Sequence, residues 1–405
     1  MKKSLLFLAA AALMVSCGND SVRNDIVENE VPIGFVPTFM EKSTKANAGE
    51  MIIDRSDANN IINTFNVDGN TFEVWGWKTN TDGTSKVFDN QTVTYNSSNT
   101  TQTTKWGYTP IKYWDRSASY KFYAVAPHGV FTLVEDNDVD TNRKFSASGV
   151  PTVQTLQNSD ASSTANLIKL ATAASSDPGT ASTAIDYLVA AKVECAAGKA
   201  NQSNNTPRYD STDSDVEFTF SHILSKLTVK VLTTDDFAGS GKPDIKLDEL
   251  TMSINGVSRN YAQTTAGITT PAVAGASNYD VWTNAITDSV KVTCFHADNS
   301  SLNSFGIDSL LLTDAGQQVA SYFVTPTPTT SGEASVRVIA KYTVYYSDGV
   351  VDHCVSPETK VESLTSFIQN NSYTLNIKIA PEAILFDVNV VNGFTPEDAI
   401  EQEVE

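Results

Sequence analysis

The sequence predicts an all-β protein with two antiparallel β-sandwich domains in tandem. Apolar and aromatic residues alternate with polar ones in many short runs, which is the period-two pattern of half-buried strands. Between the runs the chain is rich in Ser, Thr, Asn and Asp, and it contains 21 Gly and 14 Pro, a composition typical of turns. No apolar stripe of helical period is sustained, and a chain of 405 residues suffices for about two or three domains.

The first predicted strand runs from Val31 to Phe39. Val31, Ile33, Phe35 and Phe39 fall on one face, with Pro37 interrupting the alternation. The polar, basic and turn-like segment 41–46 follows, and it ends in Lys45-Ala46. A buried strand followed directly by an accessible basic site is a segment that a protease could remove, and this is our central hypothesis.

The N-terminus has the pattern of a bacterial lipoprotein signal. Lys2 and Lys3 precede an apolar core at 5–15, which is shorter than the roughly 20 residues of a transmembrane helix. Cys17 follows Met14-Val15-Ser16, which is similar to a lipobox, and we therefore expect Cys17 to carry the lipid. Residues 1–17 are then the signal peptide, and residues 18–45 form a polar tether plus the removable strand.

The first sandwich is predicted over residues 46–213. Its aromatic strand candidates lie within a short stretch of chain and are separated by turn residues, at Thr71 to Trp77, Val87 to Tyr95, Lys105 to Tyr108, Tyr113-Trp114 and Tyr120 to Pro127. Two further strands are predicted at Val150 to Leu156 and Asp186 to Val193, and a polar linker follows at 198–215.

The second sandwich is predicted over residues 214–405. It begins with Val216 to Leu232, in which Ser221-His222 indicates a bulge or a switch from one sheet to the other. Residues 361–368 indicate a short helix. The remaining strands are predicted at 248–255, 279–283, 290–295, 310–312, 321–324, 335–346, 372–379 and 384–391.

The composition argues against nucleic acid as a partner. The formal net charge is −19 and no run of Lys and Arg offsets it, whereas phosphate binding requires clustered cations. Catalytic and cofactor motifs are also missing from the sequence, and we expect neither an active site nor a cofactor or metal. The four histidines stand apart from one another, and His222, within an apolar strand, is interpreted as a core histidine.

Three local patterns have more than one interpretation. Asp136, Asp138, Asp140 and Asn142 alternate as in a calcium loop, but Thr141 and Ala147 replace the turn glycine and the bidentate glutamate, which favours an exposed acidic turn. Four tryptophans could form a sugar-binding platform, although their strand positions favour the core: Trp75, Trp77, Trp106 and Trp114. Cys195, Cys294 and Cys354 are interpreted as small buried residues, with a Cys294–Cys354 disulfide left open.

Taken together, several stretches resemble the fimbrillin family of Gram-negative type V pilins, in its Mfa-like branch. Each stretch is weak alone, but their order along most of the chain is fairly specific. They are the lipobox ending at Cys17, Ile33 to Phe35, Thr44 to Ala46, Phe72 to Gly76, Tyr113-Trp114, Tyr120 to Pro127, Asp186 to Ala190, Phe220 to Leu227 and Ile384 to Val388.

The resemblance implies two transthyretin-like sandwich domains in a fimbrial subunit that serves adhesion and colonisation. It further implies export to the outer membrane as a lipoprotein, proteolytic removal of the N-terminal strand, and assembly with other subunits by strand exchange at the cell surface. The expected cut lies between Lys45 and Ala46, where the family usually has Arg before Ala. The rival interpretation is a monomeric, glycan-binding surface lipoprotein.

The C-terminus resembles the donor appendage of stalk fimbrillins. Ile384, Phe386, Val388 and Val390 alternate, and the acidic segment 394–405 carries Ile400 and Val404. Two interpretations stay open, a strand donated to a neighbouring subunit or the last strand of the second domain followed by an acidic end.

Overall fold

A computed structural model of the chain contains 24 strands within the residues that it describes, and it confirms the all-β fold class. It describes residues 31–39, 68–100, 104–115, 117–134, 144–158, 168–169, 185–196, 215–255, 260–263, 280–283, 289–298, 309–327, 335–381 and 383–392. Within these ranges, no helix is long and apolar enough to cross a membrane. The acidic loop at 136–142 lies outside the described residues.

The first sheet contains eight strands and holds most of the N-terminal half. Seven of them follow the order β1-β12-β10-β5-β2-β3-β4, and β11 pairs with β5 beside β10. These strands are β1 (Gly34–Phe39), β2 (Thr71–Asn80), β3 (Gly83–Tyr95), β4 (Trp106–Gly107), β5 (Ser119–Ala126), β10 (Leu188–Ala190), β11 (Val193–Cys195) and β12 (Asp215–His222).

The second and third sheets enclose the core of the C-terminal half. The second sheet has the order β24-β23-β13-β19-β8-β9. Its strands are β8 (Val153–Asn158), β9 (Ile168–Lys169), β13 (Ser225–Thr233), β19 (Gln317–Val324), β23 (Asn371–Ala380) and β24 (Ala383–Asn392). The third sheet has the order β17-β14-β20-β21, with β18 beside β14 and β22 beside β20. Its strands are β14 (Asp244–Asn255), β17 (Val290–His296), β18 (Leu310–Leu311), β20 (Ser335–Tyr345), β21 (Val351–Val355) and β22 (Thr359–Lys360).

A small fourth sheet combines strands from both halves in the order β16-β15-β7-β6. Its strands are β6 (Thr132–Val134), β7 (Lys144–Ala147), β15 (Asn260–Gln263) and β16 (Asp280–Thr283). Phe145, Tyr261 and Trp282 of this sheet share an aromatic core with Trp75 and Tyr123 from the first sheet. The first sheet is therefore covered by apolar side chains on both faces.

The chain switches from the first sheet to the second at Ile223-Leu224. β12 pairs with β10, and β13, which follows after two residues, pairs with β19 and β23. Of the bulge and the switch that the sequence leaves open at Ser221-His222, the structure contains a switch, and it lies two residues further on. The predicted domain boundary between 213 and 214 differs from this point, because β12 contributes Val216, Phe218 and Phe220 to the first core.

Strand pairing also joins the two halves elsewhere. β8, which was predicted for the first sandwich, pairs with β19 in the second sheet. β7 pairs with β15. These partners are far apart in sequence, and a strand pattern does not identify its partner, so the two-domain division at 213/214 stays a proposal.

The helix predicted at 361–368 is wrong. This segment is irregular, and it buries Val361, Leu364 and Phe367 in the second core. The apolar spacing arises because three residues reach the core from turns. A 3₁₀ helix at Asp235–Phe237 is the one helix in the described part of the chain.

The core interpretation of the tryptophans and of His222 is confirmed. Trp75, Trp77, Trp106 and Trp114 are all buried. His222 is also buried, and its Nδ1 lies 2.7 Å from Oδ2 of the buried Asp186.

The described cysteines are free thiols. Cys294 lies in β17 and Cys354 in β21, at opposite edges of the third sheet. Three strand spacings of about 4.8 Å separate these edges, which is too far for a disulfide. The bridge left open by the sequence is therefore excluded within this fold, and burial raises the pKa of Cys294 to about 12.

Candidate functional site

The N-terminal strand β1 lies at the end of the first sheet and pairs in parallel with β12. The register runs from Gly34 opposite Asp215 to Phe39 opposite Phe220. Thr38 Oγ1 adds a hydrogen bond to the carbonyl of Phe218 at 3.1 Å. Pro37 is tolerated here because an edge strand has one side that does not donate to a ladder.

The residues directly before β1 pair with a second segment on the opposite side. Pro32 forms an isolated antiparallel bridge with Tyr113. The amide of Ile33 donates to the carbonyl of Lys112 at 2.9 Å, and the amide of Trp114 donates to the carbonyl of Val31 at 3.0 Å. Residues 31–39 therefore occupy a slot between β12 and residues 112–114, and removing them would leave hydrogen-bonding groups unpaired on both walls.

The slot is closed at its base by a tyrosine. The hydroxyl of Tyr108 donates to the carbonyl of Ile33 at 2.7 Å. Burial raises the pKa of this hydroxyl well above its usual range, so the group stays protonated and keeps donating at physiological pH. Tyr108 thus contacts the backbone of the residue directly before β1 rather than a side chain.

Phe35 anchors β1 in the first core, where its side chain is fully buried. Five aromatic rings surround it, with centroid distances between 5.3 and 6.4 Å: Phe72, Phe88, Tyr108, Phe122 and Phe218. Ile33 is also fully buried, and Val31 packs against the same core. Burying a large apolar side chain contributes about 1.5–3 kcal/mol, so Ile33 and Phe35 dominate the retention of the strand.

Gly76 in β2 makes room for the rings around Phe35. A Cβ atom at this position would lie 2.9 Å from Phe88 and 2.9 Å from Phe122. Both rings contact Phe35, and a larger residue at 76 would push them into its space.

The structure describes only part of the predicted processing site. Val31, Ile33 and Phe35 are brought together with the first core, whereas for Phe39 the description is limited to its backbone in β1. Cys17, Lys45 and Ala46 lie outside the described residues.

The alternating C-terminal set forms most of β24, an edge strand of the second sheet. β24 pairs with β23 along its full length, from Ala383 opposite Ala380 to Asn392 opposite Asn371. Ile384, Phe386 and Val388 pack against the second core, and Val390 is 53% exposed. Ile400 and Val404 lie outside the described residues.

Sequence reasoning missed the walls and the base of the slot. The sequence indicates Tyr108 and Trp114 as parts of aromatic strand fragments, Trp114 also as a core residue, and Gly76 as part of a strand, whereas nothing in it points to Lys112. Their roles depend on contacts with β1 across many residues of chain, for which the local sequence carries no signal. In the described ranges, no group of three or more His, Cys, Asp or Glu side chains could hold a metal ion.

These features define a class of protein, an all-β chain whose N-terminal edge strand completes a core built by later strands. The chain belongs to the fimbrillin-like family, because the model of that family matches residues 59–393. β1 precedes the matched residues. No curated protein matches the chain.

Several solved structures of fimbrial and cell adhesion proteins are similar to this chain at low sequence identity. A fimbrial protein from Bacteroides vulgatus is 15% identical, with a TM-score of 0.45 over 79% of this chain and 92% of that chain. A putative cell adhesion protein from Bacteroides uniformis is 19% identical, with a TM-score of 0.35 over 80% and 92%. The tip fimbrial protein Mfa3 from Porphyromonas gingivalis, with a C-terminal truncation, is 9% identical, with a TM-score of 0.27 over 81% and 95%.

Proposed function

We propose that this chain is a structural, non-enzymatic subunit of a type V fimbrium that serves adhesion and colonisation. It is exported as a lipoprotein anchored through Cys17 in the outer membrane. A maturation protease then cuts between Lys45 and Ala46 and frees the subunit from its lipid. Other subunits fill the vacated slot by strand exchange, which links the fimbrium at the cell surface.

The observation that supports this proposal most directly is the position of β1 in the first sheet. Ile33, directly before the strand, and Phe35 within it belong to the first core, yet β1 lies at an edge of the sheet and pairs in parallel with β12. Parallel pairing is slightly weaker per residue than antiparallel pairing. A strand of this kind can leave after one backbone cut without disturbing the order of the other strands.

The slot that β1 leaves would be a strong acceptor for another strand. The carbonyl of Lys112 and the amide of Trp114 would lose their partners, and the five rings around Phe35 would face water. An exposed strand edge beside an apolar trough favours addition of a strand from another chain. Association is therefore the route by which the processed chain regains a closed core.

The C-terminal strand β24 has the side chains to fill this slot. Its Ile384-Leu385-Phe386 repeats the spacing of Ile33-Gly34-Phe35, so Phe386 of one copy would enter the pocket of Phe35 in the next. As an edge strand, β24 can be released by breaking its pairing with β23 alone. Asp387 would then face outward at the position of the half-exposed Val36. The segment 394–405 with Ile400 and Val404 continues this donor strand.

Peptide competition tests the proposal. The lipid-free full-length chain is treated with a trypsin-like protease, and its size is followed by light scattering. We expect polymers to form after the cut, and a peptide with the sequence of residues 31–39 to keep the processed chain monomeric. The same peptide carrying Phe35→Ala should fail to do so, because it lacks the anchoring ring.

Two outcomes would contradict the proposal. In the first, the processed chain stays monomeric without any peptide. In the second, a monomeric chain binds oligosaccharide in a pull-down, which would favour the glycan-binding lipoprotein. The four buried tryptophans do not supply the surface platform on which that rival was based.

A further inference from the structure

We propose that the edge strand β21 pairs with β21 of a second copy of this chain, in antiparallel register about a two-fold axis at His353. The contact lies in the third sheet and involves neither β1 nor its slot. The dimer goes beyond the proposed function, and only its consequence for fimbriae rests on that function.

The outer edge of β21 is open in the described part of the chain. There, β21 is the last strand of the third sheet and pairs with β20 alone. Just outside its two ends, the carbonyl of Val350 and the amide of Ser356 bond to the chain on the β20 side. Because bonding alternates along an antiparallel pair, Val351, His353 and Val355 direct their amides and carbonyls to the open edge.

The edge lacks the features that usually prevent strand edges from pairing. Exposed edges are commonly protected by Lys, by Pro or by a β-bulge. β21 contains no Lys, Arg or Pro, and its register with β20 has no irregularity. β17, at the opposite edge of the same sheet, carries Lys291 and has an irregular register with β14. Of these two edges, β21 is therefore the one that can accept another strand.

The side chains beside the open edge are apolar and exposed. Val351 is 44% exposed and Val355 is 66% exposed. They lie on the outer face of the third sheet, because they stand opposite the exposed Tyr345 and Lys341 in the pairing with β20. Covering these side chains by a second strand would remove apolar surface from water, which favours association.

A second copy of β21 fits this edge because the strand is self-complementary. With His353 opposite itself, Val351 of each copy faces Val355 of the other, and every such pair exchanges two backbone hydrogen bonds. Asp352 then lies opposite Cys354. No two carboxylates of the paired strands stand directly opposite each other, although the formal net charge of the chain is −19.

The ring of His353 at the centre of this register is already held in place. Its Nδ1 lies 3.0 Å from Oγ1 of Thr343, and that hydroxyl donates to Oδ2 of Asp248 at 2.8 Å. A hydroxyl has a single proton to donate, so Nδ1 of His353 is the donor to Thr343. Because the ring is ordered before association, less side-chain entropy is lost on pairing.

One such contact would be weak. Two five-residue strands bury much less surface than the roughly 1,600 Å² of a standard interface. Copies repeated along a fimbrium would engage many of these contacts at once, and the avidity of such an array exceeds the affinity of one contact. Under the proposed function, β21 would therefore join neighbouring fimbriae side by side.

Disulfide trapping on the uncut full-length chain tests the pairing. Cys17→Ser removes the lipid and its thiol, and Asp352→Cys places a thiol opposite Cys354 of the second copy. The Cα atoms of such a pair lie about 4.5 Å apart, which is within the range of a disulfide. Under a mild oxidant, we expect a linked dimer to form about tenfold faster than with Asp348→Cys, an exposed position out of register with Cys354.

Val355→Pro, added to Asp352→Cys, removes an amide at the open edge without breaking a bond to β20. Because each copy loses one hydrogen bond to the other, linking should slow about tenfold. Mass spectrometry of the linked dimer should identify a bond between residues 352 and 354.

The inference is overturned if linking is no faster than in the control, if residue 352 links to itself in a shifted register, or if the proline has no effect. Strand exchange plays no part in the uncut chain. A chain that links in this register but stays monomeric after the cut would contradict the proposed function alone.

Discussion

Phe35 and Phe218 stack with their ring centroids 5.7 Å apart and their planes 23° from parallel. Phe35 comes from the N-terminal edge strand, and Phe218 comes from the neighbouring strand β12, which begins far along the chain. Phe35 thus completes the first core, although the expected cut between Lys45 and Ala46 would separate it from the rest of the chain. Under the proposed function, both the stability of the uncut chain and the association of the processed chain would depend on this contact.

Phe35→Ala should destabilise the precursor strongly. Truncating a buried phenylalanine to alanine typically costs about 3–5 kcal/mol, because the lost transfer energy is accompanied by a cavity. Urea unfolding of the full-length chain measures this loss. Leu385→Ala, at a half-exposed position in β24, is the control and should stay within about 0.5 kcal/mol of the wild type. Equal stabilities of the two variants would mean that Phe35 does not hold the core.

Gly76→Ala should loosen β1 without altering it. The added methyl group would meet the rings of Phe88 and Phe122, and overpacking of this kind costs about 1–3 kcal/mol. We expect faster hydrogen exchange in residues 33–36 than in the wild type. Ser85→Ala in the neighbouring strand β3 should leave this exchange unchanged, and the explanation fails if both variants behave alike.

Asp186→Ala tests the buried pair with His222. Leaving a buried hydrogen-bonding group without its partner typically costs about 1–3 kcal/mol, because the group stays desolvated. Glu362→Ala breaks the exposed pair with Lys360 and should cost about 0.2–1 kcal/mol at most. Thermal unfolding of both variants measures their losses of stability. Similar losses would show that burial of the Asp186–His222 pair does not increase its contribution to stability.

Glu73 predicts a specific pH dependence of stability. Its carboxylate is buried, and burial raises its pKa, while hydrogen bonding from the amide of Gly129 opposes the shift. Because the pKa is higher in the folded state, folding takes up a proton as the pH falls, and the penalty for the buried charge is relieved. The wild type should therefore gain stability relative to Glu73→Gln as the pH is lowered from about 7 towards the unfolded pKa near 4.5.

Chemical unfolding at a series of pH values measures the difference between the two proteins. The other carboxylates titrate in both and cancel. A difference that stays constant with pH, or that moves the other way, would contradict the assignment of a raised pKa to Glu73.

Many of the strands can be predicted from the sequence, because the alternation of apolar and polar residues is a local pattern. The alternation in Thr71 to Trp77, Tyr120 to Pro127 and Val216 to Leu232 depends only on which face is buried, and the structure contains strands at all three. The pairing of one strand with another, in contrast, is not determined by the local sequence. The positions of β8 in the second sheet and of β12 in the first follow from packing between distant segments, which no single run of residues encodes.

The candidate site likewise combines features that the local sequence predicts with contacts that it does not predict. Ile33 and Phe35 could be predicted as buried from their spacing, whereas the five rings around Phe35 come from β2, β3, β5, β12 and the segment before residue 112. The helix expected at 361–368 failed for a related reason, since apolar residues in turns can imitate a helical stripe when each reaches the core separately.

N-terminal sequencing of shed fimbriae tests whether β1 is removed by proteolysis. We expect the mature subunit to begin at Ala46, with the lipidated Cys17 and the strand β1 removed and the slot occupied by another subunit. A subunit in assembled fimbriae that still begins at Cys17 and retains residues 31–39 would contradict it.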